Sequence, residues 1–340
     1  MKQGLIALLT LIMVITGCGG DKSAAPEGVT ATPSEDKKLV IGVMPKLVGI
    51  DYFNAAERGA VEAAKELGVE LVYDGPSTND VQQQSRMVET WITKKFDAIA
   101  VAPNDPDAIG VVLKKARKRN AKVLSWDADS VQESRDFFVN QASNEAIARV
   151  LIETMAKNIG PEGKYIILTG SLSASNQNIW MGEMEKYRAE HYPNMVNLSP
   201  TPKATEEDFA LATQVTLDVL KTYPDLNGIF AITSVALPGA AEALRKANAA
   251  DRVFLTGLAT PTSMREFILD DTCREVILWN VPDLGYLTVH AAVAMARGEL
   301  KAGDTTFNAG RLGSIEIQGD QILLGDPIAF NKSNIMDVDY

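Results

Sequence analysis

The sequence predicts an α/β protein made of two doubly wound lobes. It has 340 residues, more than one typical domain, and 46% of them are hydrophobic, enough for a sizeable core. Short apolar runs without polar alternation, typical of parallel strands covered on both faces, alternate with amphipathic helical stretches. This succession occurs twice, so we expect two similar parallel sheets with a cleft between them.

The first 37 residues are not expected to belong to the fold. The apolar stretch 5–15 follows Lys2 and is too short to span a membrane, which is typical of a signal peptide, here residues 1–17. Residues 15–18, Ile-Thr-Gly-Cys, resemble a bacterial lipobox, which implies cleavage before Cys18 and a lipid on that cysteine. The alternative is an ordinary signal peptide with a chance cysteine. Residues 18–37, rich in Gly, Ala, Pro, Ser and charge, are predicted to form a flexible tether.

The first lobe is predicted to begin with a strand at 39–44 and a functional loop. Pro45 ends this strand because it has no N–H for the ladder, and Lys46, Tyr52 and Phe53 follow on the loop. In open α/β sheets ligands bind at the carboxyl ends of the strands, so this loop indicates a site. Further strands are predicted at 69–73, 98–102 and 122–126, and helices at 54–67, 80–94 and 105–119.

The second lobe repeats the pattern after about residue 142. Strands are predicted at 165–169, 196–199, 228–232 and 253–258, with helices centred near Met184, Val215, Ala241 and Phe267. The last third departs from the alternation. It contains a predicted strand at 276–279, a helix at 282–297 and a hairpin at 314–324.

Composition excludes several functions. A formal net charge of -11 offers no basic field, so we expect no nucleic-acid partner. Only two histidines are present, which disfavours metal sites and catalytic triads, and we expect no metal, no cofactor and no catalytic residue. With Cys18 bound to lipid, Cys273 has no disulfide partner and is predicted to be a small buried hydrophobe.

Two enzyme alternatives are weaker. Asp127 and Asp283 could act as the acid and base of a glycosidase, but no strong nucleophile motif accompanies them. A dinucleotide-binding enzyme would need a glycine fingerprint after the first strand, where the chain has Pro45-Lys46-Leu47-Val48-Gly49.

Several side chains suit a neutral sugar, which offers hydroxyl groups and apolar faces. Tyr52 and Phe53 can form an apolar wall, although core packing is equally compatible with them. Asp127, just after the fourth strand, can accept hydrogen bonds from two hydroxyl groups, the alternative being a helix N-cap. The amides of Asn176 and Gln177 both donate and accept, although Asn176 could instead cap its helix.

Eight segments, in order, resemble those of the type I periplasmic binding proteins of bacterial ABC sugar importers. They are most similar to the branch that binds rhamnose or autoinducer-2. The segments are PKLVGIDYF (45–53), VYDGPS (72–77), DAIAVAPNDPDAI (97–109), VLSWDADS (123–130), SNQNIW (175–180), LTGLATP (255–261), LWNVPDLGY (278–286) and NAGRLG (308–313). None is specific alone, whereas eight in the same order are a strong signal.

This resemblance implies two Rossmann-like lobes joined by a three-segment hinge. The first lobe would comprise 38–141 and 281–305, and the second 142–280 and 306–340. The implied function is capture of a small sugar in the cleft and its delivery to an ABC permease. We expect an exported, non-enzymatic monomer in the periplasm or on the outer face of the cytoplasmic membrane, attached by its lipid alone. A sensor coupled to a chemoreceptor would use the same fold.

The resemblance also assigns ligand contacts. It implies that Lys46 and Asp127 contact the ligand and that Asp129 supports them. The remaining predicted ligand-binding residues are Tyr52, Phe53, Asn176, Gln177, Thr233, Ser234, Asn280 and Asp283.

The sequence departs from the autoinducer-2 pattern in the second lobe. That pattern has an acid where this chain has Asn176, and Pro-Asp-Ala-Asn where it has Ile-Thr-Ser-Val at 232–235. The segments around Asn280 and after Asn308 look more like rhamnose binders. Conversely, PKLVGIDYF and the Leu237-Pro238 pair look more like the autoinducer-2 receptors. Rhamnose is the first expectation and autoinducer-2 the second, because Asn176 can donate as well as accept, and Asn280 and Asp283 would extend the polar network beyond a five-carbon ligand.

Overall fold

The computed structural model describes residues 38–340, and the structural statements below concern that part of the chain. The predicted signal peptide, the lipid on Cys18 and the tether lie outside the described residues. Within them, no helix is both long and apolar enough to cross a membrane.

The first lobe is built on a parallel sheet whose strands run in the spatial order β5, β4, β3, β1, β2. The strands are β1 (Val40–Met44), β2 (Glu70–Tyr73), β3 (Ala98–Val101), β4 (Lys122–Trp126) and β5 (Phe137–Asn140), with helices α1 (Asp51–Leu67), α2 (Val81–Thr93) and α3 (Pro106–Lys118). Asp80 and Asp105 cap α2 and α3 by accepting hydrogen bonds from backbone N–H groups in the first turns. β5 was not predicted, and α1 begins three residues earlier than expected.

The second lobe has a separate parallel sheet in which β6 is flanked by β9 on one side and by two short strands on the other. Its strands are β6 (Lys164–Thr169), β7 (Val196–Asn197), β8 (Lys203–Ala204), β9 (Gly228–Ala231) and β10 (Phe254–Gly257). Its helices are α4 (Asn144–Ile159), α5 (Ser175–His191), α6 (Phe209–Thr222), α7 (Ala236–Ala247) and α8 (Pro261–Leu269). The predicted fold class of two doubly wound α/β lobes is confirmed.

The C-terminal segments are β11 (Val276–Leu278), α9 (Val281–Arg297), β12 (Thr306–Asn308), β13 (Ser314–Gln318), β14 (Gln321–Leu323) and β15 (Ile328–Phe330). β13 and β14 form the predicted hairpin, and β14 pairs parallel to β5, with Ile322 opposite Val139. Assigning 306–323 to the second lobe was therefore wrong. The alternating pattern of a hairpin shows which face is buried but not which sheet edge accepts it. β15 instead pairs antiparallel to β11.

Helices α1 and α9 pack unusually closely. A Cβ atom on Gly59 would lie 1.8 Å from the carbonyl oxygen of Pro282, and one on Gly285 would lie 1.9 Å from that of Ala56. Only glycine at both positions allows the two backbones to approach this far. This contact holds the start of α9, and hence the chain segment that leaves β11, against the first lobe.

Cys273, the single cysteine among residues 38–340, lies in the hydrophobic core. Cys273 is 1% exposed, as predicted, and its thiol lies within hydrogen-bonding distance of the carbonyl oxygen of Leu255. Burial raises the pKa of this thiol to about 12, so it stays protonated and unreactive at neutral pH.

Candidate functional site

A cavity lies where the carboxyl ends of the two sets of parallel strands face each other. Lys46 follows β1, Asp127 follows β4, and Thr233 follows β9, while Gln177 lies in the first turn of α5. About 470 Å³ of space, including the open mouth, lies between its lining atoms. The lining residues are Lys46, Leu47, Ile50, Tyr52, Phe53, Asp127, Asn176, Gln177, Trp180, Glu207, Ile232, Thr233, Ser234, Leu258, Leu278 and Trp279.

Asp127 is at the centre of the first lobe's polar group. The Tyr52 hydroxyl donates a hydrogen bond to Asp127 Oδ1 at 2.6 Å, and Trp279 Nε1 donates to that hydroxyl oxygen at 2.9 Å. Lys46 Nζ lies 3.9 Å from Asp127 Oδ2. All four side chains are buried, so the carboxylate is held in position while its second oxygen keeps acceptor capacity.

Tyr52 and Phe53 lie in the first turn of α1 rather than on a loop, because the helix already begins at Asp51. Their rings meet edge to face at 5.0 Å, and Phe53 meets Trp126 at 5.6 Å. Both rings are buried and line the cavity, so they belong to the core and to the apolar wall at once. Trp126 packs behind this wall, and its indole N–H donates to the carbonyl oxygen of Met44.

The two lobes touch through direct hydrogen bonds at the cavity. Lys46 Nζ donates to Asn176 Oδ1 at 2.8 Å, and Asn176 Nδ2 donates to the backbone oxygen of Asp127 at 3.4 Å. At the rim, Ser175 Oγ donates to the backbone oxygen of Asp129 at 3.1 Å. Asp129 itself is held by the Arg135 guanidinium, at 2.6 Å. These contacts across the cleft describe a closed arrangement.

Gln177 and Glu207 form the second lobe's polar group. Gln177 Oε1 accepts hydrogen bonds from the Thr169 hydroxyl and, at 2.7 Å, from the N–H of Gly170. The side-chain NH2 group of Gln177 is therefore available for other acceptors. Gln177 Nε2 donates to Glu207 Oε1 at 3.3 Å, and the Thr233 hydroxyl donates to Glu207 Oε2.

Glu207 was not predicted as a site residue. It belongs to the run Thr-Glu-Glu-Asp at 205–208, which looks like an exposed acidic turn before a helix. In the structure Glu207 follows the short strand β8, at the edge where the other site residues lie, but this strand was not predicted from the sequence, so no signal for Glu207 was available.

Burial dominates the electrostatics of the three ionisable groups. It lowers the pKa of Lys46, against the opposing attraction of Asp127 and Glu207. It raises the pKa of Asp127, opposed by Lys46 and the Tyr52 hydrogen bond, and raises the pKa of Glu207, opposed chiefly by Thr233 and Lys46. One lysine side chain therefore lies near two carboxyl groups whose pKa values are both raised by burial.

Two predicted ligand contacts are not brought to the cavity. Asn280 Oδ1 accepts a hydrogen bond from the N–H of Asp283 at 3.1 Å, which makes Asn280 the N-cap of α9. The Asp283 carboxylate pairs with Arg311 at 2.5 Å. Asn280 and Asp283 therefore do not line the cavity, because helix capping and an ion pair engage these side chains.

The other eight predicted ligand-binding residues all line the cavity. They are Lys46, Tyr52, Phe53, Asp127, Asn176, Gln177, Thr233 and Ser234. Besides Glu207, the sequence analysis did not single out Trp279 or the aliphatic residues of the wall.

Comparison with known proteins matches residues 41–300 to the periplasmic binding protein domain. A sugar ABC transporter structure from Actinomyces odontolyticus is 31% identical, with 89% of this chain and 98% of that chain covered and a TM-score of 0.72. LsrB from Clostridium saccharobutylicum in complex with AI-2 is 26% identical, with coverage of 89% and 100% and a TM-score of 0.85. An ABC transporter solute-binding protein from Clostridium phytofermentas with bound L-rhamnose is 28% identical, with coverage of 88% and 98% and a TM-score of 0.84.

Proposed function

Because the chain belongs to the periplasmic binding protein family, we propose that it captures a small neutral sugar between its lobes and delivers it to an ABC permease. The observation that carries this proposal is the cavity itself. Asp127 and Lys46 from the first lobe and Gln177 and Glu207 from the second surround one space. Such a site offers acceptors and donors for hydroxyl groups from two sides, and aromatic rings for an apolar face.

L-Rhamnose is the proposed ligand and autoinducer-2 the second candidate, since similar proteins have been solved with each. Rhamnose carries a methyl group beside its hydroxyls, and the cavity has an aliphatic part to receive it, made by Leu47, Ile50, Ile232, Leu258 and Leu278. Asn280 and Asp283 do not line the cavity, so their side chains do not support the choice of rhamnose. Asn176 still favours rhamnose, because an amide can donate as well as accept.

Calorimetric titration with rhamnose, fucose, ribose, xylose, galactose and autoinducer-2 tests the proposal. We expect at least one of them to bind in the micromolar range or tighter, without turnover. If none binds at millimolar concentration, or if a sugar is chemically converted, the transport proposal fails. If autoinducer-2 binds and rhamnose does not, the ranking is reversed and the transport role stands.

Ligand binding is expected to close the lobes. The contacts from Lys46 to Asn176 and from Ser175 to Asp129 cross the cleft, so they form only in the closed arrangement. A ligand held from both sides shifts the population toward that arrangement by its differential affinity for it. Small-angle scattering should therefore show a smaller radius of gyration when a bound sugar is saturating. An unchanged radius at saturation would contradict hinge closure.

The proposed location follows from the first residues of the chain. A lipid on Cys18 would hold an exported monomer at a membrane surface, with residues 18–37 as the tether. Mass spectrometry of the protein from a cell envelope fraction tests the modification. An unmodified N-terminus beginning at another residue would refute the anchor and leave sugar capture unaffected.

A further inference from the structure

Glu207 is the cavity carboxylate that the sequence analysis did not identify. Building on the proposed function, we propose that Glu207 is a specificity-determining ligand contact that accepts hydrogen bonds from sugar hydroxyl groups on the second-lobe side. The ligand would then meet one carboxylate from each lobe, Asp127 and Glu207.

The backbone at Glu207 has a positive φ because this residue lies in the turn 205–208, which is closed by a hydrogen bond from the N–H of Asp208 to the carbonyl oxygen of Thr205. Seven non-glycine residues of the described chain have positive φ, and four of them follow or cap the C-terminus of a helix, namely Lys95, Asn120, Asn248 and Asp271. The other three are Asp127, Glu206 and Glu207, with φ of 62°, 51° and 52°. Asp tolerates this conformation, whereas Glu seldom adopts it. A turn with positive φ at both central residues needs no ligand to explain it, so the evidence for a role of Glu207 is the placement of its side chain.

Gly170, which lies beside Glu207 in the fold, leaves room for the Glu207 carboxylate. A Cβ atom at position 170 would lie 1.9 Å from Glu207 Oε1, so the carboxylate occupies space that only Gly170 leaves open. The carboxyl group is fixed there by Thr233 and Gln177, which donate to its two oxygens. The glycine and the two donors together hold the group at the cavity that it lines.

The hydrogen bonding of Glu207 is incomplete. A carboxylate has about four acceptor positions, and the side chains around it occupy two. Within residues 38–340 no Lys, Arg or His approaches Glu207 closely enough to form an ion pair, while Lys46 is hydrogen-bonded to Asn176. The unused positions require donors, and sugar hydroxyl groups supply them without adding charge to a site that already holds two carboxyl groups.

The test compares wild type, Glu207→Gln and Glu206→Gln. Glu206 is a matched control, because it is adjacent, has the same left-handed φ and is exposed outside the cavity. The probes are L-rhamnose, L-fucose, D-ribose, D-xylose and D-galactose, followed by the monodeoxy analogues of whichever binds wild type most tightly. We expect Glu207→Gln to weaken binding of that sugar about tenfold or more, and Glu206→Gln to change it less than about twofold.

The deoxy analogues separate a direct contact from a purely structural role. If Glu207 binds one hydroxyl group, the loss caused by Glu207→Gln should vanish for the analogue that lacks this hydroxyl and persist for the others. Wild-type affinity in Glu207→Gln, or an equal loss for every analogue, would overturn the inference while leaving sugar capture intact. If wild type binds neither these sugars nor autoinducer-2, the proposed function and this inference are both overturned. If Glu207→Gln does not fold, Glu207→Asp takes its place, with the same dependence on one hydroxyl required.

Discussion

Replacing Asp127 by Asn is expected to weaken sugar binding by about 2 to 5 kcal/mol, or about 30-fold to several thousand-fold. The Tyr52 hydroxyl donates to one carboxylate oxygen, and the Lys46 ammonium lies 3.9 Å from the other, so donors already surround the group. The Asn amide turns one acceptor into a donor, which must then face the ammonium, the tyrosine or the sugar hydroxyls. Charge-assisted bonds to the ligand are lost in each case.

Isothermal titration calorimetry of Asp127→Asn with the sugar bound by wild type measures this loss. Asp107→Asn is the control, because it removes the same charge from an exposed position of the same lobe. We expect the control to bind as wild type does and to unfold at nearly the same temperature. Unchanged affinity in Asp127→Asn would show that the carboxylate does not contact the ligand, and the site would then have to be reassigned around Glu207 and Gln177.

Replacing Gly285 by Ala is expected to destabilise the protein by about 3 kcal/mol or more. The new methyl group would lie 1.9 Å from the backbone oxygen of Ala56, and a backbone carbonyl cannot rotate away as a side chain can. Helices α1 and α9 must separate instead. Gly59→Ala meets the backbone oxygen of Pro282 at 1.8 Å and should cost a similar amount.

Chemical denaturation followed by circular dichroism measures the free energy of unfolding for these variants. The matched control is Gly182→Ala in the exposed part of α5, where a Cβ atom meets nothing within 4 Å. This control should be neutral or more stable by up to about 1 kcal/mol, because Ala favours a helix over Gly. A Gly285→Ala protein as stable as wild type would mean that the two helices are not packed backbone to backbone.

Most of the first sheet could be predicted because its elements are local. An apolar run such as Ala98–Val101, bounded by charged and proline residues, forms a buried strand in almost any α/β context. Helix boundaries were predicted less well where no capping residue marks the start of the helix. Helix α1 has no side-chain cap at Ile50, so nothing in the sequence indicated that it begins early enough to include Tyr52 and Phe53.

The site was predicted in part for the same reason. Lys46 and Asp127 follow strands directly, and the carboxyl ends of parallel strands meet at one edge whatever the details of packing. Asn280 and Asp283 also follow a strand, β11, but this strand pairs antiparallel with β15 outside the two parallel sheets, and the start of α9 and the approach of Arg311 engage the two side chains. Position in the chain therefore identified the edge without deciding which side chains face the cavity.

The sequence by itself determined the two-lobed α/β class, the edge at which ligand is proposed to bind, and the burial of Cys273. All three follow from hydrophobic pattern and strand ends, which are properties of neighbouring residues. Only the tertiary structure decided that β14 joins β5 and that Glu207 reaches the cavity. Those outcomes depend on segments far apart in the chain, since strand pairing and the space left by Gly170 arise only when these segments pack together.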